Sequence, residues 1–259
     1  MKIMFDSNIW QIVVSPEKYT KDPHVDKFRV IHNAILQKKI IPFLSETIFT
    51  LEAIKKIERQ NFFAQISPKI VVNNKIKNDI IISSISLGPN EKDAINFDNR
   101  PILKSFFEDA IRIKFNIVRL PLMGGLVNPD VDKVLYKPND LDSYHNRVFE
   151  IVEKIENAGA GKAQIKEIGG HYGSGNFMTE LKKAPESDWK KIAKAAAEWA
   201  DGDSVAISIA LDCNYFCTRD TARGAGSKSV LSKANLEWLK DEYNFETITP
   251  EKLAEILMK

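Results

Sequence analysis

The segment Asp203 to Asp220, DSVAISIALDCNYFCTRD, constrains this chain more than any other. Val205, Ala206, Ile209 and Ala210 fall on one face of a helical period, which predicts a short helix opening beside Asp203. Asn214 breaks that pattern, and Tyr215-Phe216-Cys217-Thr218 reads as a short buried strand that delivers Asp220 at its carboxyl end. In open α/β sheets that end of a strand is where ligands bind. The segment therefore implies an α/β chain with acids gathered at one rim of the sheet.

The rest of the chain supplies further helices and strands. Met1 to Phe5 predicts a central strand running into Asp6-Ser7-Asn8, and Ile40 to Leu44 predicts a second, with Pro42 favouring an edge or end position. Asp22-Pro23 predicts a helix start, and Val25, Phe28, His32, Ile35 and Leu36 share its buried face. Ser45 predicts the cap of a helix with Ile48, Leu51 and Ile57 inward, carrying Glu46 and Glu52. Lys69 to Val72 and Asp79 to Ser86 are candidate strands, ended by Gly88-Pro89-Asn90. A helix is predicted from Ile102 to about Phe115 and a strand from Ile117 to Leu120.

Residues 121–141 hold three prolines and two glycines and predict a long loop. A helix capped by Asp142 follows, with Val148, Ile151, Val152 and Ile155 as its stripe. Ala158 to Gly175 predicts a glycine-bearing flexible loop with Lys162 and Lys166; it lacks the GxxxxGK[ST] pattern that would make it a phosphate cradle. An Ala-rich helix is expected from Ser187-Asp188 to Asp201-Gly202-Asp203. The chain closes with a helix up to Tyr243, a strand from Phe245 to Ile248, and a last helix capped by Thr249 with Leu253, Ile256 and Leu257 buried.

Composition sets limits on partners. Lys plus Arg number 37 against 35 acids, so a polyanion would have to be met by local clusters of bases. The two cysteines, Cys213 and Cys217, lack His or Cys partners at metal spacing and read as small core residues. The sequence shows neither an apolar leader nor an eighteen-residue apolar run, so a cytoplasmic protein without a membrane segment is expected.

Asp6, Glu52, Asp203 and Asp220 then form a candidate constellation, since a parallel sheet brings such positions to a common edge. Gathered carboxylates repel one another, and oxygen ligands suit Mg²⁺ or Mn²⁺ better than zinc. The residues Met4-Phe5-Asp6-Ser7-Asn8, Leu44-Ser45-Glu46-Thr47 leading to Glu52, Asp203 with Ala206, Ile207 and Ala210, Thr218-Arg219-Asp220, and Phe245 through Thr249-Pro250-Glu251 resemble a PIN-domain protein. That is the family of metal-dependent ribonucleases that includes the VapC toxins.

The resemblance implies a three-layer α/β/α sandwich around a mainly parallel sheet, with residues 1–120 and 200–259 as the nuclease core and 121–199 as a helical insertion. It implies Asp6, Glu52, Asp203 and Asp220 as catalytic and metal-holding acids. Asn8 and Thr218 would support them, with Asp201 and Glu46 as reserve acids. Arg219, Arg223, Lys228 and also Lys162 and Lys166 would approach an RNA substrate. A small antitoxin or a second copy of the chain are the implied protein partners. Two alternatives stand beside this reading: a PIN-like module that binds without cutting, and a haloacid-dehalogenase-like phosphatase, which wants Asp where this chain has Asn8.

Overall fold

The computed structural model describes residues 1–48, 68–77, 80–89, 101–120, 134–220 and 226–259. Its centre is strand β1, Lys2–Phe5, flanked by β2, Ile41–Ser45, and β6, Tyr215–Cys217. Strand β5, Asn116–Val118, lies outside β2, and β7, Thr247–Ile248, lies outside β6, in the order β5-β2-β1-β6-β7. All four pairings are parallel, with Met4 opposite Phe43 and Phe5 opposite Cys217. The protein is thus an α/β chain built on a five-stranded parallel sheet.

Such short apolar strands suit a sheet covered on both faces. Ile3, Phe5, Leu44, Ile117, Cys217 and Ile248 join one core. It is completed by α1 (Trp10–Val14), α2 (Val25–Leu36), α3 (Pro101–Arg112) and α9 (Pro250–Leu257). Met4, Phe43, Val118 and Phe216 point the other way, into a core shared with α4 (Leu141–Asn157), α7 (Trp189–Ala210) and α8 (Lys233–Tyr243). Alternation along each strand, period two, produces this split.

Within the stretch expected as an insertion, α4 contributes directly to the sheet's cover: it buries Tyr144, Val148, Ile151, Val152 and Ile155 in the second core. Farther along, α5 (Ala163–Gly170) and α6 (Phe177–Glu180) pack with the first half of α7 in a third core around Trp199. Strands β3 (Pro68–Lys77) and β4 (Ile80–Pro89) pair antiparallel in a separate two-stranded ribbon.

Several expectations need correction. Helix α7 runs unbroken from Trp189 to Ala210, so Asp203 lies inside a helix of 22 residues and opens none. A mid-helix glycine costs only about 1 kcal/mol against alanine, and Gly202 has a packing reason to be there, given below. Strand β2 is interior, paired on both sides; Pro42 is tolerated as its second residue, near the strand start. The stretch 158–175 contains helix α5 where a loop was expected. Asp140, not Asp142, caps α4, accepting from Ser143 N at 3.0 Å. Leu36 and Ile256, expected inside, are exposed. Among the described residues no helix is long and apolar enough to cross a membrane.

Candidate active site at the carboxyl edge of the sheet

The chain leaves β1 toward β2 and β5, then returns to the other side of β1 for β6 and β7. The strand order reverses between β1 and β6, the place where open α/β sheets leave a crevice at their carboxyl ends. Asp6 follows β1 there, and its N–H donates to Cys217 O at 3.0 Å. Its buried carboxylate accepts from Ser7 N at 2.6 Å, Asn8 Nδ2 at 2.8 Å and Thr218 Oγ1 at 2.5 Å. Thr218 Oγ1 in turn accepts from Asp220 N at 2.8 Å and Asn8 Nδ2 at 3.2 Å, and Asn8 Oδ1 accepts from Arg219 N at 3.3 Å. One hydroxyl and one amide thereby tie the ends of β1 and β6 together and fix the orientation of Asp6.

Burial pushes the Asp6 pKa up, the Thr218 and Ser7 donors pull it down, and Asp220 adds a further upward push. Asp201, on α7, is pushed well above the ordinary range by burial and then by Asp6, Glu198 and Asp220. Glu198 lies one helical turn before it, on the same face. Its buried carboxylate accepts from Val230 N at 2.5 Å and also from Ser229 and the N–H of Gly161; burial raises its pKa against those donors, with Asp220 adding to the rise. Asp220, at the exposed rim, thus acts on Asp6 and on Asp201, and Asp6 and Glu198 act on Asp201.

The other expected site residues have different surroundings. Asp203 stands about 200° around the helix axis from Asp201 and is 1% exposed. It accepts from Thr47 Oγ1 at 3.4 Å. Burial pushes its pKa well up, while Lys162, Thr47 and Trp199 lower it. Glu46 is buried in a two-pronged pair with Arg119, at 2.7 and 2.8 Å. The Arg219 guanidinium holds Asp22 at 2.7 and 2.9 Å, approaches Glu251 at 3.6 Å and stacks on Phe28 at 4.6 Å, so it braces β6 against α2 and α9. Lys228 pairs with Glu167 at 2.6 Å and Lys166 with Glu156. Glu52 and Arg223 lie outside the described residues.

Two participants escaped the sequence reading. Glu198 could have been found from its spacing of three before Asp201, and Arg119 from its place just after a strand. Hard carboxylate oxygens are the donors Mg²⁺ or Mn²⁺ prefer, and a divalent cation would offset the burial and repulsion that raise Asp6 and Asp201. Among the described residues, no group of three or more His, Cys, Asp or Glu stands close enough together to hold a metal ion. No family model, curated protein or solved structure matches the chain.

Proposed function

We propose that the protein is a metal-dependent endoribonuclease of the PIN-like kind, a three-layer α/β/α sandwich whose acidic centre is Asp6, Asp201 and Asp220. The observation that carries this reading is the placement of Asp6 and Asp220 beside the strand-order reversal, tied together through the Thr218 hydroxyl, with both acting electrostatically on Asp201. Asp201 here takes the role that the resemblance gives to Asp203, since it is the acid on α7 that Asp6 acts on electrostatically. Asp6, Asp201 and Asp220 do not stand close enough together in this structure to hold an ion among them, so the three would have to draw closer around Mg²⁺ or Mn²⁺, which would supply an activated water and neutralise charge developing on a phosphodiester.

The protein's own part is orientation. Asn8 and Thr218 hold the Asp6 carboxylate in place, and Glu198 ties the Val230 N–H, the Ser229 hydroxyl and the Gly161 turn to α7, one turn before Asp201. Carboxylates fixed in advance need no rearrangement when the substrate arrives.

Incubation with structured and unstructured RNA in Mg²⁺, Mn²⁺ or EDTA tests the reading. Cutting is expected only with metal, and Asp6→Asn or Asp201→Asn is expected to lower it by more than about 100-fold, the upper range for losing a group that merely supports a metal ligand. Cutting that persists in EDTA and in both variants overturns the mechanism. A second reading, a PIN-like module that binds RNA without cutting, is favoured by one observation: Asp203 is buried against Thr47 instead of facing the crevice. RNA retention with no cleavage in any metal would select it, and phosphate release from small monoesters would select a phosphatase.

A further inference from the structure

We infer that the amino end of the sheet, opposite the acidic crevice, is a docking face for an anionic lipid surface, with Lys38, Lys39 and Lys114 as its cations and Leu36 and Ile41 as its apolar contacts. The inference does not rest on the nuclease reading. Helix α2 ends at Leu36 and α3 at Arg112, and both close in the same way. The Lys38 N–H donates to Ile35 O and the Lys39 N–H to Ala34 O, each at 2.9 Å; the Lys114 N–H donates to Ile111 O at 3.0 Å and the Phe115 N–H to Ala110 O at 2.9 Å. Lys38 sits at φ +60° and Lys114 at φ +71°, a conformation in which glycine is the unstrained choice. Two equivalent turns thus each carry a lysine at the left-handed position.

Those turns lead directly into neighbouring strands. β2 and β5 pair with Phe43 opposite Asn116, and the Ile41 N–H donates to Met1 O at 2.8 Å at the head of β1. Leu36, Lys38, Lys39, Ile41 and Lys114 therefore gather around the start of β2. All five are exposed, Leu36 by 54% and Ile41 by 45%. Among the described residues, none of the three ammonium groups has a hydrogen-bond or ion-pair partner, whereas Arg219, Lys166 and Lys228 are each paired with a carboxylate.

Charge and shape select the occupant. Unpaired lysines suit an anion and exposed leucine and isoleucine suit hydrocarbon; a bilayer surface offers both side by side. A second copy docked through the same face would set lysines against lysines. A peptide that adds to a sheet needs an edge strand, and β2 is paired on both sides. Single-stranded nucleic acid favours aromatic and arginine planes, and the five residues include neither. A lysine just after a helix also complements the helix dipole, a structural role that gives no preference among lipids.

Sedimentation of the full chain with vesicles tests the inference. Phosphatidylcholine vesicles containing phosphatidylserine are expected to bind it about 100-fold more tightly than phosphatidylcholine alone, roughly fivefold for each lysine. High salt weakens that preference. The triple variant Lys38→Gln/Lys39→Gln/Lys114→Gln removes it, and Leu36→Gln lowers binding to the anionic vesicles about tenfold. Lys190→Gln/Lys191→Gln, at exposed lysines near the start of α7, changes neither.

Equal binding to the two kinds of vesicle, or binding to neither, overturns the docking face, as does a triple variant that keeps the anionic preference. RNA retention lost in the triple variant while vesicles are ignored by the wild type would hand the lysines to nucleic acid instead. Should the wild-type chain bind anionic vesicles and cut no RNA, the nuclease reading fails alone and the docking face stands.

Discussion

Arg219 shows how a residue's neighbours decide its role. Sequence reading puts it beside RNA, yet its guanidinium is engaged with Asp22, Glu251 and the Phe28 ring. Arg219→Ala is therefore expected to lower stability by about 1–3 kcal/mol, with loss of the stacked ring contact included, and to leave the slope of RNA affinity against salt unchanged. Denaturant unfolding and binding at several salt concentrations check the two parts. The same pair sets a pH dependence: hydrogen bonding from Arg219 lowers the Asp22 pKa from 3.8 to about 2. A depressed folded pKa stabilises the fold above the ordinary value, and this contribution is lost as pH falls from about 4 to 2. After solvent screening it amounts to about 1–2 kcal/mol, and Asp22→Asn should remove that step from unfolding measured at pH 6 and pH 3. The places of Asp6 and Asp220 just past β1 and β6 were legible because each follows a short apolar run that reads as a strand. Asp201 and Asp203 were not separable, because both lie in one short acidic segment and only the packed helix decides which of them faces the crevice.

Among the elements, α7 carries Glu198, Asp201 and Asp203. Its alanines and Trp199 announce a helix, but a glycine between two acids looks like a boundary until the contact it serves is seen. That contact is the Gly161 turn. Gly202→Ala should gain about 1 kcal/mol in helix propensity and lose about 1–3 kcal/mol to overpacking against the Gly161 backbone. A net loss of stability with weaker Mn²⁺ binding is the expected outcome; a stabilised variant with intact binding would contradict the packing account. The strands of the five-stranded sheet were readable because both of its faces are covered, which leaves short apolar runs. Their order was not, since parallel pairing depends on crossovers through helices and not on local pattern. That is why Pro42 suggested an edge for a strand that has neighbours on both sides.

At the scale of the whole molecule, the fold concentrates electrostatic cost at one end of its sheet. Asp201 has a folded pKa raised by burial and by Asp6, Glu198 and Asp220, so stability present below its ordinary value is lost as pH rises through the raised range. Asp201→Asn should therefore melt higher than the wild-type chain at pH 8 in EDTA, by a few degrees. Added Mn²⁺ should close the gap by stabilising the wild type alone, about 2.7 kcal/mol when the ion is at 100 times its dissociation constant. An unchanged melting point in EDTA would show that the acids do not burden the fold. Strand order carries a last consequence. The Asp6 side chain waits for Thr218, 212 positions later, and β1 lacks one of its two neighbours until β6 arrives. A ribosome making this chain therefore holds an incomplete sheet until the segment around Tyr215–Cys217 has emerged, and the Asp6 carboxylate is not fixed before then.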